Sequence, residues 1–344
     1  MNHLYRCCSF LSLIVFSFLS ASANGSSPTE RYCVGYKNIQ FVNLVSYRET
    51  RPGPLAPVYS CADFIQFDEL GGRINALVGY ENPSTDILPI ANVLESQDSY
   101  GFGHLSFGFD KNKKEFADNY KAVFVHEWAH ALLVRYLTDN LALFSELRAL
   151  LQESDETFPT LLTFMNLTGE DGVCKSDVCR EFADKNSSTI NRTSEVAKEI
   201  NKLMRHPEVQ RFFQISAHYQ EFFADFVAAV FFDDPGVTAR SLDALLSLQK
   251  NKVDHSCRSF IFVAPQDFHT DDPHCTFSSL RRSLWEKYFI KSKQKPKELL
   301  QRLMRAIVDE VRLQLSLYED SESTSLEFPN KAAIDSFEKA LGYL

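Results

Sequence analysis

Past its first 23 residues, this 344-residue sequence has no segment long and apolar enough to cross a membrane, which takes roughly 20 residues in a row. It has no surplus of basic residues. Lys and Arg number 36 against 45 Asp and Glu, for a net charge of −9, a balance that argues against nucleic-acid binding. It has no CxxC pair, so a thiolate metal site is a weak reading of its cysteines. It has no internal repeat, and no repeat architecture is expected.

What is present begins with a segment that reads as an export signal, an uncleaved membrane anchor being the alternative. Arg6 gives a weakly positive start, an apolar stretch runs from about Phe10 to Leu19, and Ala21-Ser22-Ala23 fits a small-residue cleavage site. Cys7 and Cys8 precede the apolar stretch and do not mark a lipoprotein site. Residues 1–23 are therefore expected to be removed. The mature chain is expected outside the cytoplasm, secreted or periplasmic, with no stable membrane anchor. Six cysteines remain, an even number that suggests disulfides in an exported chain. Pairing of sequence neighbours gives Cys33–Cys61, Cys174–Cys179 and Cys257–Cys275, one of fifteen possible schemes.

The expected organisation has two parts after the signal. Residues 24–137 read as a sheet-containing part, with strands at Ile39–Val45, Phe64–Phe67, Ile74–Tyr80 and Gly103–Phe109, ending in a strongly apolar helix from Lys121 to Leu137. Residues 138–344 read as mainly helical. They include a polar insert at 168–193, a helix at 208–232 opened by Pro207, and an amphipathic stretch from Pro296 to Tyr318. Strands first and helices after, without alternation, predict an α+β fold. N-x-S/T sequons stand at Asn24, Asn166, Asn186 and Asn191, three of them in or near the insert. The 29 phenylalanines predict an aromatic-rich core.

The chemistry-bearing signal is Phe124-Val125-His126-Glu127-Trp128-Ala129-His130-Ala131-Leu132. On a helix, His126 and His130 are four apart and share a face, where two neutral imidazoles can hold one zinc ion. Glu127 sits at the edge of that face, placed to take a proton from a water activated by the metal. From Ala122 to Val134 it is the only full charge. A carboxylate in such a helix is costly without a partner. The plainer alternative is a buried helix with two hydrogen-bonded histidines.

A second helix repeats the anomaly. Between Phe212 and Phe232 the only charged residues are Glu221 and Asp225, four apart and on one face. Desolvated together they would repel each other. A metal and its histidines resolve this if Glu221 is a ligand and Asp225 accepts the N–H of a ligand histidine, His126 in particular. The alternative is that both acids face solvent or pair with basic residues of the insert. His218 is a fallback third ligand.

HExxH followed by a helix bearing ExxxD resembles the gluzincins, the thermolysin-like zinc peptidases. The resemblance covers these two helices only. It implies a zincin-like fold with a mixed or antiparallel N-terminal sheet, one zinc held by His126, His130 and Glu221, Glu127 as general base, and Asp225 as orienting acid. It implies hydrolysis of a peptide or protein substrate. Ninety residues separate His130 from Glu221, more than the family's usual gap, and Gln220 stands where an Asn is usual. Tyr136 occupies the position of a third metzincin histidine, which excludes that pattern. The resemblance also calls for an imidazole that stabilises the oxyanion. His274 is the first candidate, oriented by Asp271 or Asp272, with His269 and Tyr288 as alternatives. It further suggests that the Gly103–Phe109 strand is an edge that pairs with substrate near His104–Ser106, an ordinary sheet strand being the alternative. Two other functions remain open: an exported, zinc-stabilised binding module, and hydrolysis of a non-peptide bond by the same site. A structural zinc with four protein ligands gives no reason to keep Glu127 beside the first histidine.

Overall fold

A computed structural model describes residues 39–41, 61–80, 85–90, 99–101, 104–108, 117–168, 173–246, 255–262, 272–291, 295–318 and 331–342. Residues 1–23, expected to be an export signal, lie outside them with Cys33, His269 and Asp271, and with Cys33 so does the pairing expected between Cys33 and Cys61. Helices make up most of what is described. The described residues are mainly helical, and the α+β expectation with a substantial N-terminal sheet is corrected. Among them, extended backbone is confined to short segments: β1 (Ile39–Phe41), β2 (Thr85–Ile90), β3 (Ser99–Gly101) and β4 (His104–Gly108). They hydrogen-bond in the order β1-β2-β4-β3. β2 runs parallel to β4, with Asp86 opposite His104, and β3 runs antiparallel to β4, with Ser99 opposite Ser106. β4 therefore has a neighbour on each side. The expected edge at His104–Ser106 is already paired.

The clearest departure is at Cys61–Val78, a single helix, α1, where two strands were expected. Phe67, Leu70, Ile74 and Val78 are all buried, and their spacing of three and four is helical. Gly71-Gly72 reads as a turn in sequence, but both glycines lie inside the helix. Gly71 is needed for close approach: a Cβ there would lie 2.8 Å from the Trp128 ring. The helix stops at Gly79, whose φ of 71° is readily adopted only by glycine, while its N–H donates to the Asn75 carbonyl.

Two compact units result. Among the described residues, one comprises 142–168 and 173–209. It holds α3 (Ser145–Leu167) and α4 (Asp177–Met204), packed against each other and joined by the Arg192 guanidinium, which donates to both Glu153 carboxylate oxygens at 2.6 and 2.7 Å. The expected polar insert is thus largely helix. Ser176 caps α4 by accepting from the Cys179 N–H, a contact that satisfies one of the orphan donors at a helix start. Cys174 and Cys179 are paired there, with Cα atoms 5.3 Å apart. The sequence predicts a helix only over about 194–205, the second part of α4; polar composition hid the rest, because only Cys179, Thr193, Val196 and Met204 are buried along it.

The other unit holds the remaining described elements and every candidate site residue. α2 (Ala117–Asn140) is buried along much of its length and meets α1 through stacked Phe67 and Phe124 rings, centroids 4.7 Å apart. The Trp128 indole N–H donates to Asn75 Oδ1 at 2.9 Å. Each large side chain buried this way contributes about 1.5–3 kcal/mol. α5 (Pro207–Phe232) carries the phenylalanine core: Phe222 packs against Phe260, Phe277 and Phe337. It ends at Asp233, whose φ of 52° breaks the helical path before Pro235 and Gly236. α6 (Val237–Leu246) follows and packs on α2. Next come the short α7 (Ser278–Ser283) and a π-helical stretch at Leu284–Lys291. α8 (Pro296–Leu317) packs on α1 and on α9 (Lys331–Leu341). Among the described residues no helix is long and apolar enough to cross a membrane.

Candidate metal centre

α2 sets His126 and His130 one turn apart, and their Nε2 atoms lie 2.9 Å from each other. α5 sets Glu221 and Asp225 one turn apart on its own axis. Glu221 meets both imidazoles, with Oε2 at 3.3 Å from His126 Nε2 and Oε1 at 3.4 Å from His130 Nε2. The three ligand atoms all lie within 4.8 Å of one another, so the group could hold a metal ion. Zinc bonds of about 2.0–2.1 Å in a tetrahedral arrangement put ligand atoms roughly 3.3 Å apart. Separations of 2.9, 3.3 and 3.4 Å are close to that.

Asp225 completes the arrangement on the far side of His126. Its Oδ1 lies 3.0 Å from His126 Nδ1. A carboxylate that accepts the Nδ1–H leaves the Nε2 lone pair facing Glu221 and His130, the tautomer a metal ligand needs. Glu127 is buried immediately beside His126 and is not a member of the three-residue group.

Sequence reasoning missed two residues here, Arg258 and Arg281. Both guanidinium groups are buried. Arg258 Nη2 donates to Asp225 Oδ1 and to Glu221 Oε2, each at 2.9 Å, and lies 2.9 Å from His126 Nε2. A metal ion and this nitrogen therefore compete for the same Nε2 and Oε2. Arg281 Nη1 pairs with Asp225 Oδ2 at 2.8 Å, and its guanidinium lies over the Phe222 and Phe260 rings. The basic partners of Asp225 come from these later segments, not from the expected insert. The only sequence hints were the adjacency of Arg258 to Cys257 and two desolvated acids on α5.

The charges follow from this packing. Burial and Arg258 both push the His126 pKa down, yet Asp225 and Glu221 outweigh them and raise it to about 9. Burial works against the charged form of Glu221, but His274, His130 and Arg258 hold it well below the usual carboxylate range. Asp225 is likewise lowered: Arg258 and Arg281 overcome the cost of its burial.

His274 stands at the rim. Its Nε2 is 3.4 Å from Glu221 Oε1, and its side chain remains 46% exposed. Its Nδ1 lies 2.6 Å from Asp272 Oδ1, and the same oxygen accepts the His274 backbone N–H. Of the two acids expected to orient it, Asp272 contacts the ring and Asp271 lies outside the described residues. Tyr288 lies in the π-helical stretch. His218, the fallback ligand, is buried with Nδ1 2.6 Å from Thr276 Oγ1 and is not in the metal group. Cys257 and Cys275 are paired, with Cα atoms 5.3 Å apart. Arg258 follows the first of them and His274 precedes the second, so one crosslink fastens the chain beside both site residues. No family model matches this chain, and no match was found among curated proteins or solved structures.

Proposed function

We propose that this chain is an exported zinc-dependent metallopeptidase. The observation that carries the reading is the convergence of His126, His130 and Glu221 from two helices, with Asp225 on the outer nitrogen of His126. A zinc ion held by those three residues would supply Lewis acidity, polarising a substrate carbonyl and acidifying a water. The remaining roles fall to the chain's own groups. Glu127 takes a proton from the attacking water and returns it to the leaving amine as the C–N bond breaks. His274 in its imidazolium form, with Nδ1–H donated to Asp272, donates from Nε2–H to the oxygen that gains negative charge. The position of His274, half-exposed and 3.4 Å from Glu221, supports this role. Export is supported by the sequence of residues 1–23 and by two cysteine pairs at disulfide distance.

One observation favours a second reading. Arg258 satisfies Glu221, Asp225 and His126 directly, as it would in a buried polar cluster of a non-catalytic binding module. Metal content separates the two. The peptidase retains about one zinc per chain through extensive dialysis, and His126→Ala, His130→Ala and Glu221→Ala each lose it. A wild-type chain that takes up no zinc favours a metal-free polar cluster closed by Arg258, and one that loads zinc but hydrolyses nothing favours the zinc-stabilised module. A zinc-loaded chain that cleaves esters or amides other than peptides points to a different substrate for the same site.

A further inference from the structure

Arg281 is wholly buried and joins two parts of the centre that are far apart in sequence. One arm of its guanidinium, Nη1, pairs with Asp225 Oδ2 at 2.8 Å. The other, Nη2, donates to the backbone carbonyl of His274 at 2.9 Å. Phe222 and Phe260 lie against the guanidinium, with its central carbon 5.4 and 5.2 Å from their ring centroids. Removing a guanidinium from water is unfavourable even when it is paired, so such a residue is weak evidence for stability alone. What the planar fork supplies is geometry: two contacts fixed relative to each other by one rigid group.

We propose that Arg281 is a positioning residue that holds the orienting carboxylate of His126 and the backbone of His274 in one fixed relation. Asp225 Oδ1 faces His126 and accepts from Arg258 Nη2, while Oδ2 pairs with Arg281 and lies 3.2 Å from Arg258 Nε. Loss of the Arg281 contact therefore leaves the carboxylate held by Arg258 from one side, free to turn relative to the imidazole. The same loss releases the carbonyl of the residue whose side chain stands 3.4 Å from Glu221. Arg258 contributes to the first contact and not to the second: it reaches Asp225 and Glu221, whereas the His274 carbonyl accepts from Arg281. The inference rests on the metal-centre reading above and extends it to the support behind the ligands.

The test is Arg281→Lys, which keeps the charge but replaces the fork with a single nitrogen. Zinc affinity is measured by chelator competition on protein that circular dichroism shows to be folded, and kcat and KM on peptide substrate at saturating zinc. Zinc affinity is expected to fall roughly tenfold or more, as for loss of a group supporting a ligand, and kcat to fall more than KM changes. The double variant Asp225→Asn/Arg281→Lys is expected to lose little more zinc affinity than the worse single variant, because both act through one carboxylate. Phe260→Leu leaves the guanidinium but removes one ring beside it. It keeps the test open if the lysine variant does not fold, with a smaller loss of zinc affinity expected. Wild-type zinc affinity in folded Arg281→Lys, or in Phe260→Leu where that is the variant that folds, overturns this inference, as do fully additive losses in the double variant. A wild-type chain that loads zinc but cleaves no peptide overturns the peptidase reading alone, since the affinity measurements still decide the role of Arg281.

Discussion

At the scale of single residues, the centre is a balance of buried charges. Three acids, Glu127, Glu221 and Asp225, stand near two arginines and two histidines, and His126 lies in the middle. Its pKa of about 9 has a direct consequence for metal uptake. The raised value means that the imidazole carries a proton below about pH 9 when no metal is bound, and metal coordination must displace it. Lower pH favours the protonated form and weakens binding; higher pH favours the metal. Zinc affinity is therefore expected to rise about tenfold per pH unit between roughly pH 7 and 9 and to level off above that, one proton being released per ion. A pH series of chelator competitions checks this, and a flat profile would place the proton elsewhere. The members of the group that could hold a metal were readable in sequence, His126 and His130 by their four-residue spacing and Glu221 as one of two charges in an apolar helix. Arg258 and Arg281 were not, because a basic residue in a polar stretch carries no sign of burial until the chain has folded around it.

Helices carry these groups, and the precision of the centre depends on how α2 is seated. Trp128 lies between the two ligand histidines in sequence and is wholly buried against α1. Gly71→Ala separates two effects of opposite sign. Helix propensity favours Ala by about 1 kcal/mol, whereas overpacking typically costs about 1–3 kcal/mol. A Cβ at 2.8 Å from a ring that is itself hydrogen-bonded to Asn75 cannot be accommodated by a simple rotation. Net destabilisation of about 1 kcal/mol or more is expected, read as a lower midpoint in urea. A neutral or stabilised variant would show that the α1–α2 contact is looser than drawn. The same glycine explains why α1 was hidden. Gly71-Gly72 punctuates the sequence as a turn would, and the three- and four-residue spacing around it becomes visible only once both glycines are read as points of close approach. α2 and α5 were legible because long apolar runs with one or two charges have few other readings. α4 was legible only over about 194–205, since a helix with few buried positions leaves almost no apolar pattern.

At the scale of the whole molecule, residue patterning suggested a balance of sheet and helix that the described residues do not have, because alternation over four to seven residues is a weak signal beside Gly and Pro. The cysteines were more informative. Cys257 and Cys275 close a segment of separation 18 whose two ends adjoin Arg258 and His274. Closing a loop of that size stabilises the folded state by about 3 kcal/mol through the unfolded chain. The double variant Cys257→Ser/Cys275→Ser is expected to unfold at lower temperature by a corresponding amount. Its zinc-loaded form is expected to turn over more slowly, since both site residues lose their tether. Peptide mapping without reduction should recover Cys257 linked to Cys275 and Cys174 linked to Cys179, and free thiols at 257 and 275 would remove the brace. The most direct measurement on the proposed chemistry concerns Glu127, which is buried beside His126 and outside the ligand group. Glu127→Gln preserves size and removes only the basic carboxylate. General-base catalysis contributes roughly 10²–10⁴-fold, so the expected result is a folded protein with about one zinc per chain and peptide hydrolysis reduced by at least about a hundredfold. A folded, zinc-loaded Glu127→Gln that cleaves as fast as wild type would contradict it.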